Sequence, residues 1–499
     1  MSTVSGSSPH LQQQRKIAKD LLKAARAGDA DALAQLRKVR PHAGEYKLAD
    51  AQLVVARQAD FESWPKLVKA LEAAEMRVFR EAITSGDASA LKRLLTGSAR
   101  LRKKVNAPLF VFGGRPINQA AKHLAVVDVL LEFGADINLR SRWEAGPFGV
   151  LDGCPPELAR SLLSRGATLT AHAAARLGWL EELRAIVNVN PEVVDEKGGD
   201  GQRPLHFAKT PEIADFLLDH GARIDAKCVD HQSTAAQYAL SDRAAVTVRL
   251  LQRGAAPDIF MPARLGDLAL ARRLIDQDAN CLAARTHRRG YEPVPVMGIY
   301  NWVLGFHLSP HEVALRYGHR DVYETLLRSS SPKVRLLDAV MRHDEPMARA
   351  ALRDDSSLLL AMTRDDHALL ACAAQDNRIE AVALMLELGF DPMARGIDGG
   401  TVLHMAAWEG NTQIIQILLQ RGVEVNDLDP THGSSPLSWA AYGSVNRRRD
   451  GGDYAGAIER LVQAGANIKA PGNKSGASML DMADGNPQIQ EVLRRLGAN

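Results

Sequence analysis

The side chains that could do chemistry in this chain are scattered acids, a few histidines and two groups of aromatics. Glu312, Glu409, Asp450 and Asp453 could serve as general acids or bases, but that work needs two carboxylates held at a fixed separation. No two of them have a diagnostic spacing. Asp365, Asp366 and His367 are consecutive. Adjacent residues rarely share a ligand geometry, so they are read as capping a helix from Ala368. No G-x-S-x-G, phosphate-binding loop or H-E-x-x-H is present, and the four cysteines (154, 228, 281, 372) lie far apart. No catalytic residue, metal or cofactor is therefore assigned. The aromatics are the stronger signal. Tyr291, Tyr300, Trp302 and Phe306 fall in one stretch, and Trp408, Trp439 and Tyr454 in another, in a chain only 5% aromatic. Tyr300, Asn301, Trp302, Trp408, Trp439 and Tyr454 are the candidate ligand- or partner-binding residues, expected to share one surface.

These residues must be positioned by a repeating element. In residues 400–426, GTVLHMAAWEGNTQIIQILLQRGVEVN, Thr401 can cap a short helix, Gly410-Asn411 breaks it, and Thr412 can cap a second. Ile414, Ile415, Leu418 and Leu419 give that second helix one apolar stripe. Gly422 ends it in a left-handed conformation. The ending Leu-Leu-x-x-Gly recurs at 130–134, 162–166, 217–221, 250–254 and 418–422, with looser forms at 385–389 and 461–465. Gly221 to Gly254 and Gly389 to Gly422 are each 33 residues. The start recurs as RPLHFA (203–208), TVLHMA (401–406) and SPLSWA (435–440). His206 and His404 occupy its histidine position, where the ring bonds neighbouring turn backbone.

A period of 33 with this T-P-L-H-x-A-like start resembles the ankyrin-repeat family. The resemblance implies an all-α solenoid of helix pairs with short turn or hairpin fingers, from Met76 to the C-terminus. Several copies, including those at 76–95, 170–187 and 260–274, lack a full finger. Residues 1–15 are polar and Ser-rich and read as a disordered tail. Residues 16–75 read as an N-terminal helical cap, with Pro65 opening a helix after Ser63, and resemble the segment that precedes ankyrin arrays in many bacterial proteins. The domain reading is a first array at 76–284, an insertion loop at 285–309 and a second array at 310–499.

Two insertions break the period. At 285–309 a finger of about six residues is replaced by about twenty before Ser309-Pro310-His311 restarts a helix, and Pro293, Pro295 and Gly298 bar a helix between. At 444–454, SVNRRRDGGDY, roughly ten residues are added: Ser435 to Ser478 is 43 where about 33 are expected. Here the chain resembles a bacterial ankyrin subgroup with a Tyr-Asn-Trp loop, a Gly-His-[Arg/Asp]-Asp-Val helix and a late W-A-x-x-G-S…G-D-Y stretch. Tyr300-Asn301-Trp302, residues 318–322 and Trp439 through Tyr454 carry it. Where that group commonly has Gly-Trp-His, this chain has Arg447-Arg448-Arg449.

Composition bounds the function. With 62 basic and 59 acidic residues the net charge is +3, which gives no basis for a nucleic-acid partner or an anionic membrane. The short basic clusters at 100–104 and 447–449 read as solvated faces or loops. No apolar run approaches the roughly 18 residues that a membrane span needs. Dispersed cysteines without a signal peptide point to a cytoplasmic protein. The reading is a non-enzymatic scaffold that grips a protein partner on the concave face of fingers and inner helices. The alternative is a small-molecule-binding or hydrolytic enzyme with a pocket built by the insertions. Convergence of both insertions on one cleft would favour the pocket, and opposite faces would leave only the scaffold.

Overall fold

The computed structural model describes residues 11–41, 45–286 and 298–498. Tyr291, Pro293, Pro295 and the first ten residues of the expected tail lie outside them. The described residues form helices joined by turns with no strand among them, and an isolated antiparallel bridge pairs Arg395 with Thr401. The chain divides into two compact units: Met1–Arg223 with Cys228–Asp230, and Ile224–Lys227 with His231–Asn499.

In the first unit the helix Leu11–Arg26 begins inside the stretch read as a tail. The 22-residue helix Trp64–Ser85 runs through the expected boundary at 75/76. No glycine or proline stands between Pro65 and Gly86 to break it. Leu67 on this helix enters the N-terminal core with Leu36 and Val54, while Phe79 and Ile83 enter the core of the first repeats. The cap and the array thus share one rod. In the second unit a single core runs from Leu336 to Ala498. The segment read as a separate loop is stitched to the preceding repeat, since Tyr300 Oη donates to Asp258 (2.7 Å) and Ile299 N–H to Ser233 Oγ (3.1 Å).

The unit at 400–426 forms as read, with one correction. Thr401 stands before the helix Val402–Trp408, but Asn411, not Thr412, caps the helix Thr412–Leu419 by accepting from the N–H of Gln413 and Ile414. The asparagine carboxamide reaches both orphan N–H groups of the first turn. His404 lies in the core and accepts from Thr401 N–H (3.1 Å), while its other ring nitrogen meets the Ser434 carbonyl (3.1 Å). His206 likewise accepts from Arg203 N–H. The seven glycines of the repeated ending all have positive φ, between 69° and 99°.

Neighbouring repeats are latched by asparagine. Asn138 Nδ2 donates to the Gly166 carbonyl (2.9 Å) and its Oδ1 accepts from Thr168 N–H (2.8 Å). Asn106 holds Gly134 and Asp136 in the same way, and Asn426 holds Gly465 and Asn467. The first two latches span 28 residues and the third spans 39. The second insertion is therefore looped out without disturbing the stacking register. At Gly422 nothing lies within 4 Å of an added Cβ, so only the left-handed backbone opposes a side chain there. Gly422→Ala should cost about 1 kcal/mol in a denaturant melt; an unchanged midpoint would contradict the left-handed cap.

Candidate functional site

The turns between inner and outer helices stack above one another in the second unit and are linked by side chains. Arg378 donates to the Met341 carbonyl of the preceding repeat (3.0 Å). Asn377 accepts from Asn411 Nδ2 (2.9 Å) and donates to Glu409 (3.4 Å). Glu409, 1% exposed, accepts from Arg447 Nε at 3.0 and 3.2 Å, and Arg449 stands 3.9 Å away. The cluster read as a solvated loop thus anchors the second insertion. A buried carboxylate needs a paired charge, and Arg447 supplies it.

That insertion lengthens the inner helix to Pro436–Asn446 and enlarges the following turn, which ends where Asp453 caps the helix Tyr454–Gln463. Tyr454 fixes the turn: it is 7% exposed, and its Oη donates to the Trp408 carbonyl (3.2 Å) and accepts from Arg449 N–H (3.3 Å). A Cβ added at Gly443 or Gly452 would meet the Tyr454 ring at 3.2 or 3.0 Å, so these glycines make room for it. Trp439 is buried, donates Nε1–H to Asp429 (3.0 Å) and meets Trp408 edge-on with centroids 6.0 Å apart.

The first insertion is closed at its base. Thr286 N–H donates to the Leu308 carbonyl (2.9 Å), and Leu308 N–H to Thr286 Oγ1 (2.9 Å). Two of the three Tyr-Asn-Trp residues face inward: Tyr300 and Asn301 are buried, and Tyr300 packs on Phe260. Trp302 is 61% exposed and meets Phe306 edge-on at 5.7 Å. Of the six candidate residues, the structure buries Tyr300, Asn301, Trp439 and Tyr454, half-buries Trp408 and exposes Trp302.

The two insertions line one cleft of about 840 Å³. Phe306 and Leu308 contribute from the first and Arg447 and Arg449 from the second, with Glu312, Leu315 and Arg316 of one repeat, Arg342 of the next, and residues 375–378 after it. None of the six candidate residues lines it. Sequence reasoning missed Arg316, Arg342 and Arg378, each of which looks like an ordinary charge at a helix end. The available signal was that all three stand at the inner–outer turn of successive repeats.

The acids weighed for catalysis, Asp450 apart, have structural work. Glu312 is buried and pairs with Arg285 (3.3 Å) and Arg378. Burial works against its charge, yet the two guanidiniums and the Ser309 N–H hold its carboxyl below the ordinary range. Asp453 is a cap, Asp450 is exposed, and Asp366 bonds Lys333 and Thr363 in a capping box at Arg364–His367 rather than at Ala368. His307 Nδ1 lies 3.3 Å from Asp376. Burial disfavours its protonation, but hydrogen bonds with Asp376 and Cys372 outweigh that and raise its pKa to about 10.

Residues 369–471 match the family model for ankyrin repeats, in three copies. Residues 369–471 thus carry ankyrin repeats. The chain is 33% identical over 82 residues to Protein PhlB of Serratia liquefaciens, covering 16% of this chain and 36% of that protein. It is 23% identical over 328 residues to the E3 ubiquitin-protein ligase KEG of Arabidopsis thaliana, covering 64% of this chain and 18% of that protein. The chain thus spans about a third and about a fifth of these relatives. Ankyrin repeats are a protein–protein interaction scaffold, and among the described residues no helix is long and apolar enough to cross a membrane.

Because the folded pKa of His307 is raised above its ordinary 6.5, its contribution to stability is complete below pH 6.5 and is lost as pH rises through about 10. The stability gap between the native chain and His307→Gln should therefore be widest near pH 6 and shrink steadily toward pH 10. A gap independent of pH in denaturant melts would contradict the imidazolium.

Proposed function

We propose that this chain is a non-catalytic scaffold that grips a partner protein, with the cleft shared by the two insertions at the centre of the grip. The observation that carries the reading is that cleft together with the aromatics around it. Phe306 lines it and is 37% exposed, and Trp302, 61% exposed, meets Phe306 edge-on. Tryptophan is among the residues enriched at the hot spots that carry most of the binding energy of protein interfaces. Rigid stacked repeats lose little conformational freedom on binding, which suits a preorganised surface. On this reading the grip falls on inner helices and their turns, rather than on the fingers and inner helices expected from the sequence.

A small-molecule ligand in the same cleft is the second reading. The convergence of the insertions favours it, and the volume lies within the roughly 300–1,000 Å³ usual for such sites. A hydrolytic role has less support, since the carboxylates near the cleft are tied to arginines or helix ends. We place the protein in the cytoplasm, which suits four cysteines that lie far apart along the sequence. Nothing in its charge balance recommends nucleic acid as a partner.

The test separates recognition from packing. Trp302→Ala should leave the melt within about 0.5 kcal/mol of the native chain and weaken capture of the partner from a native extract by about 2 kcal/mol. Tyr454→Ala should destabilise by about 3 kcal/mol or more, because its ring fills the enlarged turn. Full partner capture by folded Trp302→Ala would overturn this reading. Loss of a desalted, heat-stable ligand in place of a protein would favour the small molecule.

A further inference from the structure

The proposal that the cleft grips a partner leaves open what the gripped segment is made of, and charge narrows it. Five arginines line the cleft, at 316, 342, 378, 447 and 449, against the two carboxylates Glu312 and Asp376. The chain as a whole carries only +3, so this is a local concentration of one sign.

Neighbouring carboxylates offset it unevenly, least of all at Arg316 and Arg449. Glu409 is shared by Arg447 and Arg449, and Glu312 by Arg285 and Arg378. Asp376 serves Arg378 and His307 together. Arg447 is the nearer partner of Glu409, which leaves Arg449 at 3.9 Å. Arg342 is matched by Asp338 and Asp344. Among the described residues, Arg316 bonds the Leu304 carbonyl (2.7 Å) and no carboxylate.

The cations are also reachable. The Arg447 and Arg449 side chains are 46% and 33% exposed. Arg447 meets Glu409 through Nε, which leaves its terminal nitrogens directed elsewhere. A guanidinium presents five N–H donors in a planar fork that matches a carboxylate bidentately. Phe306, Leu308 and Leu315 line the same cleft and suit the methylene stems of acidic side chains. A volume of about 840 Å³ is far more than one bound ion requires and accommodates a short run of residues.

We propose that the arginine-lined cleft captures an acidic segment, rich in Asp and Glu, of the partner protein. This rests on the scaffold reading above. The field of several like charges in a concave site would also speed encounter with such a segment, and added salt would screen it.

The probe is a labelled hexaglutamate peptide titrated into the full-length chain by fluorescence anisotropy, with hexaglutamine and inorganic phosphate as comparisons, at low and high salt. Arg449→Gln and Arg316→Gln are the variants of choice. Each keeps a donor amide, and neither removes the main partner of a buried carboxylate. Arg320→Gln, on a side chain 84% exposed and paired along its own helix with Glu324, is the control. We expect hexaglutamate to bind, hexaglutamine not to bind, and both cleft variants to lose roughly tenfold in affinity with unchanged melting temperature, while Arg320→Gln matches the native chain. Failure of hexaglutamate to bind, or equal binding by all three variants, overturns the proposal. So does full displacement of the peptide by equimolar phosphate, which would mark a site for a free anion. If hexaglutamate fails while partner capture still depends on Trp302, the scaffold reading stands and only the acidic segment is lost.

Discussion

Everything in this chain depends on the fact that one helix pair cannot finish itself. Its apolar surface has two sides, and the carbonyl that ends its second helix faces solvent until a neighbour's asparagine bonds it. Asn106, Asn138 and Asn426 make the same pair of hydrogen bonds to the following repeat. Stability is then a sum over neighbours, and the chain is free to vary wherever the latch is not touched. The latch from Asn426 spans 39 residues where the others span 28, so the extra residues of the late insertion leave at the opposite edge, in the turn between inner and outer helices.

That edge is where a site could be built. The turns already stack through Arg378, Asn377, Asn411 and Glu409. The second insertion ties into the same ladder through Arg447 on Glu409, and the first folds alongside with Arg316 on the Leu304 carbonyl. A carboxylate as buried as Glu409 is expensive without its partner, so Arg447 fixes the enlarged turn in place. Tyr454, Gly443 and Gly452 form the inside of that turn, and the arginines form its lip.

What could be read from the sequence was whatever is local to a repeat. The left-handed glycines, the helix start at Ser309-Pro310-His311 and the ring of His404 follow from short-range geometry, and each stands as read. The place of the aromatics was not legible. Tyr454 and Trp302 look alike in sequence, yet one fills a turn and the other stands 61% exposed, because burial depends on how an insertion folds back. The cleft arginines were invisible for a related reason. An arginine at a helix end is usually solvated, and only stacking shows that three of them share a register. Asn411 replaced Thr412 as a cap because both can accept, and backbone geometry chose between them.

The cleft makes sense only if the two insertions act as one site. Hydrogen–deuterium exchange on the full chain, with and without the captured partner, tests it most directly. Amides in 298–316 and 443–454 should gain protection together on binding, while the outer helices of the same repeats do not change. Protection confined to one insertion, or spread over the outer helices and sparing both, would contradict it.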